Sequence, residues 1–315
     1  MPDFIKDKFN PYNSLQLYGY EKLFNNFVNL YQQKKLPKVI LLSGEKGLGK
    51  FTFIFHLLNY FFSNKESSYD TKNFKIDPHN YCYKKILSNI FENFIYINNG
   101  QNKVGIEDIR KIKNKLSSVP LNNIPRFTVI DDVERLNINS ANALLKIIEE
   151  PSDINYFILI NNKKNLILET LRSRSIETKI FLDRSKQEFI IDNLIKNYNL
   201  NPGYLLEFKK YTTPGMLILF SEICSNLSID IDMSLYKKTS LLLDEFRKNK
   251  NDIFIECIKF IIDINFYSQI EDKKINIINV CNKKDKLIKL ITQYRNFNLN
   301  KNTVLEYFKS KPDYA

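Results

Sequence analysis

The sequence has few cysteines, and they are spread along the chain. Its 315 residues include four: Cys82, Cys224, Cys257 and Cys281. No two of them form the Cys-x-x-Cys pair typical of zinc sites, and a disulfide framework needs a denser set. We therefore expect neither zinc nor disulfides, and the pattern is typical of a protein from a reducing compartment.

Long apolar runs and signal-peptide features are missing as well. No stretch approaches the ~18 consecutive apolar residues of a membrane span. The sequence starts with MPDFIKDKF, which carries charges where a signal peptide has an apolar core. No internal repeat is visible. We expect a cytoplasmic protein that does not bind a membrane.

Acidic residues are outnumbered by basic ones. The chain has 47 Lys and Arg residues against 35 Asp and Glu, which gives a formal net charge of +12 at pH 7. This excess suits binding to a polyanion such as DNA, and it equally suits a solvated basic surface. With this length and 43% hydrophobic residues, the chain can build the cores of two or three domains.

Glycine is scarce, with eight in the chain, yet several fall in one short loop. The apolar run Val39–Ser43 predicts a buried strand that leads into GEKGLGK, after which the pattern predicts a helix. A phosphate-binding loop has this context, because backbone N–H groups and a helix N-terminus face the phosphate and a lysine adds charge. The candidate ligands of nucleotide phosphate are Gly44, Gly47, Gly49 and Lys50.

The residue after the lysine departs from the phosphate-loop pattern. That pattern has Ser or Thr there as a magnesium ligand, whereas this chain has Phe51. Thr52 offers a hydroxyl one position later and is a further candidate contact. Successive helical residues point about 100° apart, so this hydroxyl should face away from the metal. We expect ATP and magnesium to bind weakly or not at all.

A second motif follows the apolar run Phe127–Ile130, which predicts a strand buried on both faces. Asp131 and Asp132 come directly after it, at the strand end where doubly wound sheets bind ligands. Asp131 is therefore a candidate magnesium ligand. The alternative is that the two acids only form a turn or a helix cap. Asn139 or Ser140 can cap the helix that follows.

Further strands complete an α/β pattern. Phe94–Ile97 lies between the two motifs, and Tyr156–Ile160 and Ile176–Leu182 follow the second. Five strands with interleaved helices predict a doubly wound α/β core. The polar stretch 63–80 predicts a surface loop.

Four strings of residues carry a family resemblance. They are GEKGLGK at 44–50, VIDDVERLN at 129–137, SANALLKIIEEP at 140–151 and TLRSRS at 170–175. Together they resemble the clamp-loader branch of the AAA+ ATPases, and within it the delta-prime family of bacterial DNA polymerase III subunits. The resemblance runs from about Leu17 to Ser175, about half the chain. The four-cysteine zinc module of many clamp-loader subunits is missing.

The resemblance implies an architecture of three parts. It implies an AAA+ nucleotide-binding-like core with a five-stranded parallel sheet over 1–182 and a small helical lid over 183–215. An all-helical collar domain, through which the subunits assemble into a ring, would cover 216–315.

The resemblance also implies roles for residues near the nucleotide. Asp132 stands where many such ATPases carry a catalytic Glu, and its shorter side chain should hold an attacking water less well. Asn162 lies where the family places a polar sensor of the γ-phosphate, with a simple turn as the alternative. Leu17 and Tyr18 would border adenine, with plain core packing as the alternative.

Arg174 resembles the arginine of the family's Ser-Arg-Cys motif, with Ser175 in place of the cysteine. The resemblance implies an arginine finger that completes the ATP site of the adjacent subunit in trans. Guanidinium suits this role because its planar donors bind phosphate oxygens bidentately. Arg172 is the competing candidate for the arginine finger. The alternative for Arg174 is that it only forms a surface salt bridge with a neighbouring acid.

The stretch 105–116 predicts an amphipathic helix with a basic side. Lys111 and Lys115 lie four residues apart on that side. In clamp loaders the inner surface of the ring tracks the duplex backbone, so the resemblance makes both lysines candidates for phosphate contacts. A solvated helix face is the alternative.

The motifs predict a delta-prime-type subunit of the clamp loader in DNA replication. Its partners would be the delta and gamma/tau subunits, the sliding clamp and, within the complex, primer-template DNA. It would have weak or no ATPase activity of its own. The alternative is an active ATPase of the gamma/tau type, which Lys50 favours and Phe51 disfavours. A third hypothesis, a sequence-specific DNA-binding regulator, lacks a recognisable reading helix.

Overall fold

The structure is a computed structural model of the chain. It describes residues 10–63, 69–88, 90–98, 105–116, 124–163, 165–200, 209, 212–270 and 277–309. The chain forms two compact units. The N-terminal unit holds Asp7–Asn199 and Thr213–Met216, and the C-terminal unit is built mainly from Leu217–Ala315.

A parallel sheet lies at the centre of the N-terminal unit. The described strands are β1 (Val39–Ser43), β2 (Tyr69–Asp70), β3 (Lys75–Ile76), β4 (Phe94–Ile97), β5 (Arg126–Ile130), β6 (Asn155–Asn161) and β7 (Ile176–Lys179). The sheet has five strands in the order β4-β5-β6-β1-β7, and all neighbouring pairs are parallel. The short strands β2 and β3 form a separate antiparallel hairpin.

Helices alternate with the strands and then make up the rest of the chain. The described helices are α1 (Glu21–Gln32), α2 (Lys50–Phe62), α3 (Tyr81–Leu87), α4 (Ile106–Leu116), α5 (Ile138–Ile148), α6 (Glu169–Ser173), α7 (Arg184–Tyr198), α8 (Pro214–Asn226), α9 (Leu235–Asn249), α10 (Asp252–Ile270), α11 (Ile277–Phe297) and α12 (Lys301–Lys309). Short 3₁₀ helices form at Pro11–Asn13 and Val133–Arg135.

Both faces of the sheet are covered. Ile40 of β1 belongs to an apolar cluster with Phe53 of α2, whereas its neighbour Leu41 belongs to another cluster with Leu144 of α5. Every residue of β1 and β5 is buried. This burial on two sides explains why both strands are mostly apolar and do not alternate between apolar and polar residues. The predicted doubly wound α/β fold class is confirmed.

The stretch 63–80, predicted as a surface loop, contains the β2–β3 hairpin, so that prediction was wrong in part. Tyr69 and Ile76 of this hairpin are buried. The Tyr69 ring stacks on Phe24 at 5.0 Å between centroids, and its hydroxyl lies 3.1 Å from Nδ1 of the buried His56. These partners are distant in sequence, which is why the local polar pattern did not reveal the hairpin.

Helix α5 begins earlier than predicted, and its cap is Asn137 rather than Asn139 or Ser140. Asn137 has an extended backbone, and its side-chain oxygen accepts a hydrogen bond from the Ser140 N–H at 2.7 Å. This is the usual geometry of an N-cap.

Helices are the regular elements among the described residues of the C-terminal unit. Helices α9 to α12 pack on one another around side chains that include Leu242, Phe254, Leu287 and Val304. Ion pairs join some of them, such as Lys301 Nζ to Asp244 Oδ2 at 2.7 Å. The predicted all-helical C-terminal region is confirmed. Among the described helices, none is long and apolar enough to cross a membrane.

Candidate functional site

The loop from Gly44 to Lys50 connects the carboxyl end of β1 with α2. Gly47 and Gly49 have φ angles of +84° and +75°, a left-handed backbone that glycine adopts without strain. Gly44 is needed because no side chain fits there: a Cβ would lie 2.6 Å from the carbonyl oxygen of Ile180. The shape of the loop therefore requires all three glycines.

Lys50 opens α2 and is 4% exposed. Its Nζ donates to the carbonyl oxygens of Gly44 at 2.8 Å and Glu45 at 2.6 Å. Burial lowers the pKa of this amine to about 8, and the carboxylates of Asp131 and Glu134 oppose the shift. The structure thus holds the amine of Lys50 within the loop, beside these acids.

Donors from outside the loop fix its other carbonyl groups. Thr213 Oγ1 donates to Lys46 O at 2.7 Å, and the Gly215 N–H donates to Gly47 O at 2.9 Å. The Tyr20 hydroxyl donates to the carbonyl oxygen of Leu48. The loop is therefore held in its curved shape by the protein itself.

The predicted acids and the predicted sensor meet at the edge of the sheet. Strands β5 and β6 are neighbours, so the residues that follow them lie side by side. Asn162 Nδ2 donates to Asp131 Oδ1 at 3.0 Å and to Asp132 Oδ1 at 2.7 Å. The carbonyl oxygen of Asn161, at the end of β6, accepts the N–H of Gly44 at 3.2 Å, which brings this cluster next to the loop.

The Asp131 carboxylate is surrounded by protein donors. Besides Asn162, the Asp132 N–H donates to Oδ1 at 2.8 Å, and Tyr96 and Asn98 each donate to Oδ2 at 3.3 Å. Burial and then the charge of Asp132 raise the pKa of Asp131. Burial also raises the pKa of Tyr96 well above its usual value, so its hydroxyl keeps the proton that it donates.

The residues present do not fit a magnesium ion. Phe51 packs its ring on Tyr96 and Tyr12, with centroids 4.4 and 5.2 Å apart, so an aromatic side chain stands where the phosphate loop needs an oxygen ligand. Thr52 is partly buried in the first turn of α2. Among the described residues, no group of three or more His, Cys, Asp and Glu side chains is placed to hold a metal.

Asp132 is held in an unusual backbone conformation. Its φ is +53°, and its Oδ2 lies 3.5 Å from Arg135 NH1. Glu134 is a neighbour that the sequence did not single out. It is buried, and both of its carboxylate oxygens accept the Asn162 N–H, at 3.1 and 3.2 Å. Glu134 therefore fixes the turn that presents the Asn162 amide.

Arg174 directly follows α6 and forms a surface ion pair. Its Nε donates to Glu149 Oε1 at 2.8 Å, and its NH1 donates to Thr170 O at 3.3 Å. Arg172 lies 3.3 Å from Glu177 Oε2. Both arginines are partly exposed, and each has a carboxylate partner within this chain.

A family model described as DNA polymerase III, delta subunit, matches residues 19–181, just over half of the chain. The chain belongs to this delta-subunit family. The match confirms the resemblance drawn from the motifs, and its range includes the loop, both acids, Asn162 and Arg174.

Two curated relatives carry DNA polymerase III names. The gamma/tau subunit of Mycoplasma genitalium is 27% identical over 96% of this chain and 57% of its own length. The delta-prime subunit of Buchnera aphidicola subsp. Schizaphis graminum is 26% identical over 56% of this chain and 52% of its own length. The chain thus spans little more than half the length of these relatives. A Thermotoga maritima gamma-subunit-related structure is 16% identical with a TM-score of 0.48, covering 90% of this chain and 96% of that one.

Other predicted positions of this delta-subunit family member lie outside the acid cluster. Lys111 on α4 is exposed, with Nζ 3.5 Å from Asp108, and the backbone oxygen of Lys115 accepts a hydrogen bond from Arg126. Leu17 is buried in the core. Tyr18 accepts a hydrogen bond from Asn197 at 2.7 Å.

Sequence reasoning also missed Lys163 in this member of the family. It follows Asn162 directly, has a φ of +55°, and donates its N–H to Asn161 Oδ1 at 2.9 Å. The sequence offered one indication of this residue, namely that a lysine directly follows the predicted sensor Asn162.

Proposed function

We propose that this chain is a clamp-loader subunit of DNA polymerase III that binds nucleotide weakly and hydrolyses it at a negligible rate. Family membership supports the role in DNA replication. The observation that carries the loss of hydrolysis is the packing of Phe51 against Tyr96 and Tyr12, where an active site needs a metal ligand. The four donors on Asp131 support the same conclusion.

The proposed partners are the delta and gamma/tau subunits, the sliding clamp and primer-template DNA within the assembled complex, in the cytoplasm. The helical lid over 183–215 and the collar over 216–315 remain part of this proposal. A helical C-terminal unit supports the collar role, because packed helices offer long faces for assembly.

Arg174 is proposed to act as the arginine finger for a neighbouring subunit. Its ion pair with Glu149 is about 40% exposed on the arginine side, and such surface pairs contribute only about 0–1 kcal/mol. Assembly against an ATP-binding neighbour can therefore release the guanidinium at low cost. Lys111 and Lys115 are proposed to contact DNA phosphates in the complex.

Two experiments test the role. The full chain, mixed with recombinant delta and gamma/tau subunits of the same organism, should co-elute with them in size-exclusion chromatography. The isolated chain with saturating Mg-ATP should show turnover far below one per second, the lower end of the usual enzyme range. Failure to form a complex would overturn the role, and turnover of about one per second or more would overturn the inactive site.

An active ATPase of the gamma/tau type is the second candidate. The gamma/tau relative aligned over 96% of this chain favours it, as do Lys50 and the intact loop. The same turnover measurement decides between the two candidates.

Charge reversal tests the DNA contacts. Changing Lys111 and Lys115 to Glu in the assembled complex should weaken clamp loading equally on templates of different sequence and flatten its salt dependence, because phosphate contacts carry no sequence information. Lys146→Glu on α5 is the control. Unchanged loading at every salt concentration would show that the basic side of α4 is solvated and does not contact DNA.

A further inference from the structure

The loop keeps the groups that bind phosphate as an anion. Gly47 and Gly49 have the left-handed backbone that curls the loop, and the 13-residue helix α2 begins directly after them. Backbone N–H groups at a helix N-terminus attract anions. Lys50 adds a full positive charge beside them.

The groups that would hold a metal are absent or engaged. Phe51 offers no oxygen, and Asp131 accepts hydrogen bonds from Tyr96, Asn98, Asn162 and the Asp132 backbone. A magnesium ion prefers oxygen ligands in near-ideal octahedral geometry, and no such set is arranged in the described part of the site. Phosphate that binds here lacks the metal that usually neutralises it.

Lys163 is placed to supply a second positive charge. Strands β1 and β6 are paired in register at Ser43 and Asn161, and the Gly44 N–H donates to Asn161 O. Lys163 lies two residues beyond Asn161 and therefore stands beside the start of the loop. Its side chain is exposed, and it forms no ion pair among the described residues.

We propose that the loop binds the phosphate groups of its ligand as a metal-free anion, with Lys163 acting beside Lys50 in place of magnesium. The inference rests on the proposed weak nucleotide binding. It specifies the chemical class of the ligand, which is a polyphosphate anion free of metal. The Lys50 pKa is lowered mainly by burial, is raised by three nearby acids, and is lowered by a smaller amount by the charge of Lys163, which is consistent with Lys163 lying near Lys50. An anion between the two amines relieves this repulsion.

The inference reverses the usual effect of magnesium. A metal-bound polyphosphate carries less negative charge than the free anion, so two amines attract it less strongly. Magnesium should therefore weaken binding, and added salt should weaken it too, since one of the amines is exposed.

Thermal unfolding of the full chain tests this, because a ligand of the folded state raises the unfolding temperature. Inorganic triphosphate and ATP are titrated with excess EDTA or with excess magnesium. Both should stabilise the chain with EDTA and do so less with magnesium. Lys163→Asn should weaken the apparent affinity about fivefold, as expected for one exposed charge contact. Asn is chosen because it tolerates a left-handed backbone.

Lys34→Asn is the matched control. Lys34 is also exposed with a φ of +57°, but it precedes β1, at the opposite end of the strand from the loop. Equal affinities of the two variants, binding that needs magnesium, or no stabilisation by either anion would each overturn the inference. ATP binding without triphosphate binding would show that the nucleoside carries recognition and would overturn it as well. Co-elution with the other subunits is measured separately, so failure of the proposed subunit role can be distinguished from failure of this inference.

Discussion

Position 51 offers a test of whether one side chain limits what the loop can bind. Phe51→Thr restores the hydroxyl that the phosphate-loop pattern needs, and we expect it to raise magnesium-dependent binding or turnover of ATP. The substitution also removes the Phe51 ring, which packs on Tyr12 and Tyr96, and should therefore lower the free energy of unfolding by about 1–3 kcal/mol.

Phe51→Leu is the control, because it removes the ring without adding an oxygen. Isothermal titration and steady-state turnover with Mg-ATP measure the gain, and urea unfolding measures the loss. Identical nucleotide behaviour of the Thr and Leu variants would contradict this account of the site.

His56 makes stability depend on pH. Burial lowers the pKa of its imidazole to about 4, although the contact with Ser14 O raises it. An unfolded histidine has a pKa of about 6.5. As pH falls from about 6.5 to 4, the unfolded chain binds a proton that the folded chain does not, so the free energy of unfolding decreases by up to about 3 kcal/mol.

Urea unfolding at pH 7 and pH 5 measures this effect. The control variant, His56→Gln, has no titrating group at this position and should lose less stability between the two pH values. An equal loss in both proteins would assign the pH dependence to other groups.

At the scale of elements, the buried strands were predictable from the sequence, whereas the β2–β3 hairpin and the cap of α5 were not. Val39–Ser43 and Phe127–Ile130 are mostly apolar because they are buried on both faces, so the sequence shows them directly. The β2–β3 hairpin depends on Phe24 and His56, far away in the chain. The cap at Asn137 depends on where the preceding 3₁₀ helix ends.

The candidate site was predictable to the same degree. Motif context after the strands located Lys50 and Asp131, and the family resemblance located Asn162; the sheet then brings these strand ends together. The engagement of Asp131 by Tyr96, and the support of Asn162 by Glu134, depend on side-chain orientation in the folded chain.

The segment Thr213–Met216 tests whether the loop is held from outside. A Cβ on Gly215 would lie 2.8 Å from Gly47 O, so Gly215→Ala must push the two backbones apart. Although Ala favours helix by about 1 kcal/mol over Gly, we expect a net loss of about 1–2 kcal/mol in the free energy of unfolding.

Gly105→Ala is the control, since a Cβ there would have its nearest contact at 3.5 Å, an ordinary distance. Urea unfolding compares the two variants. A Gly215→Ala protein as stable as the wild type would show that the segment does not constrain the loop.

At the scale of the whole molecule, the proposed role of Arg174 depends on assembly with other subunits. If it acts in trans, Arg174→Ala should leave assembly unchanged while one ATP site per ring loses roughly a thousandfold or more of its hydrolysis rate. Arg172→Ala should retain hydrolysis. ATPase assays and clamp loading on reconstituted complexes measure both variants, and wild-type rates with Arg174→Ala would rule out the finger.

The chain path sets where the protein can be divided. The N-terminal unit includes Thr213–Met216, which are separated in sequence from the rest of that unit, Asp7–Asn199. A recombinant fragment that stops at Asn199 therefore lacks Thr213 and Gly215, the donors to Lys46 O and Gly47 O. The smallest fragment of the N-terminal unit that folds on its own should therefore end no earlier than Met216, and urea unfolding should show that a fragment ending at Met216 is more stable than one ending at Asn199.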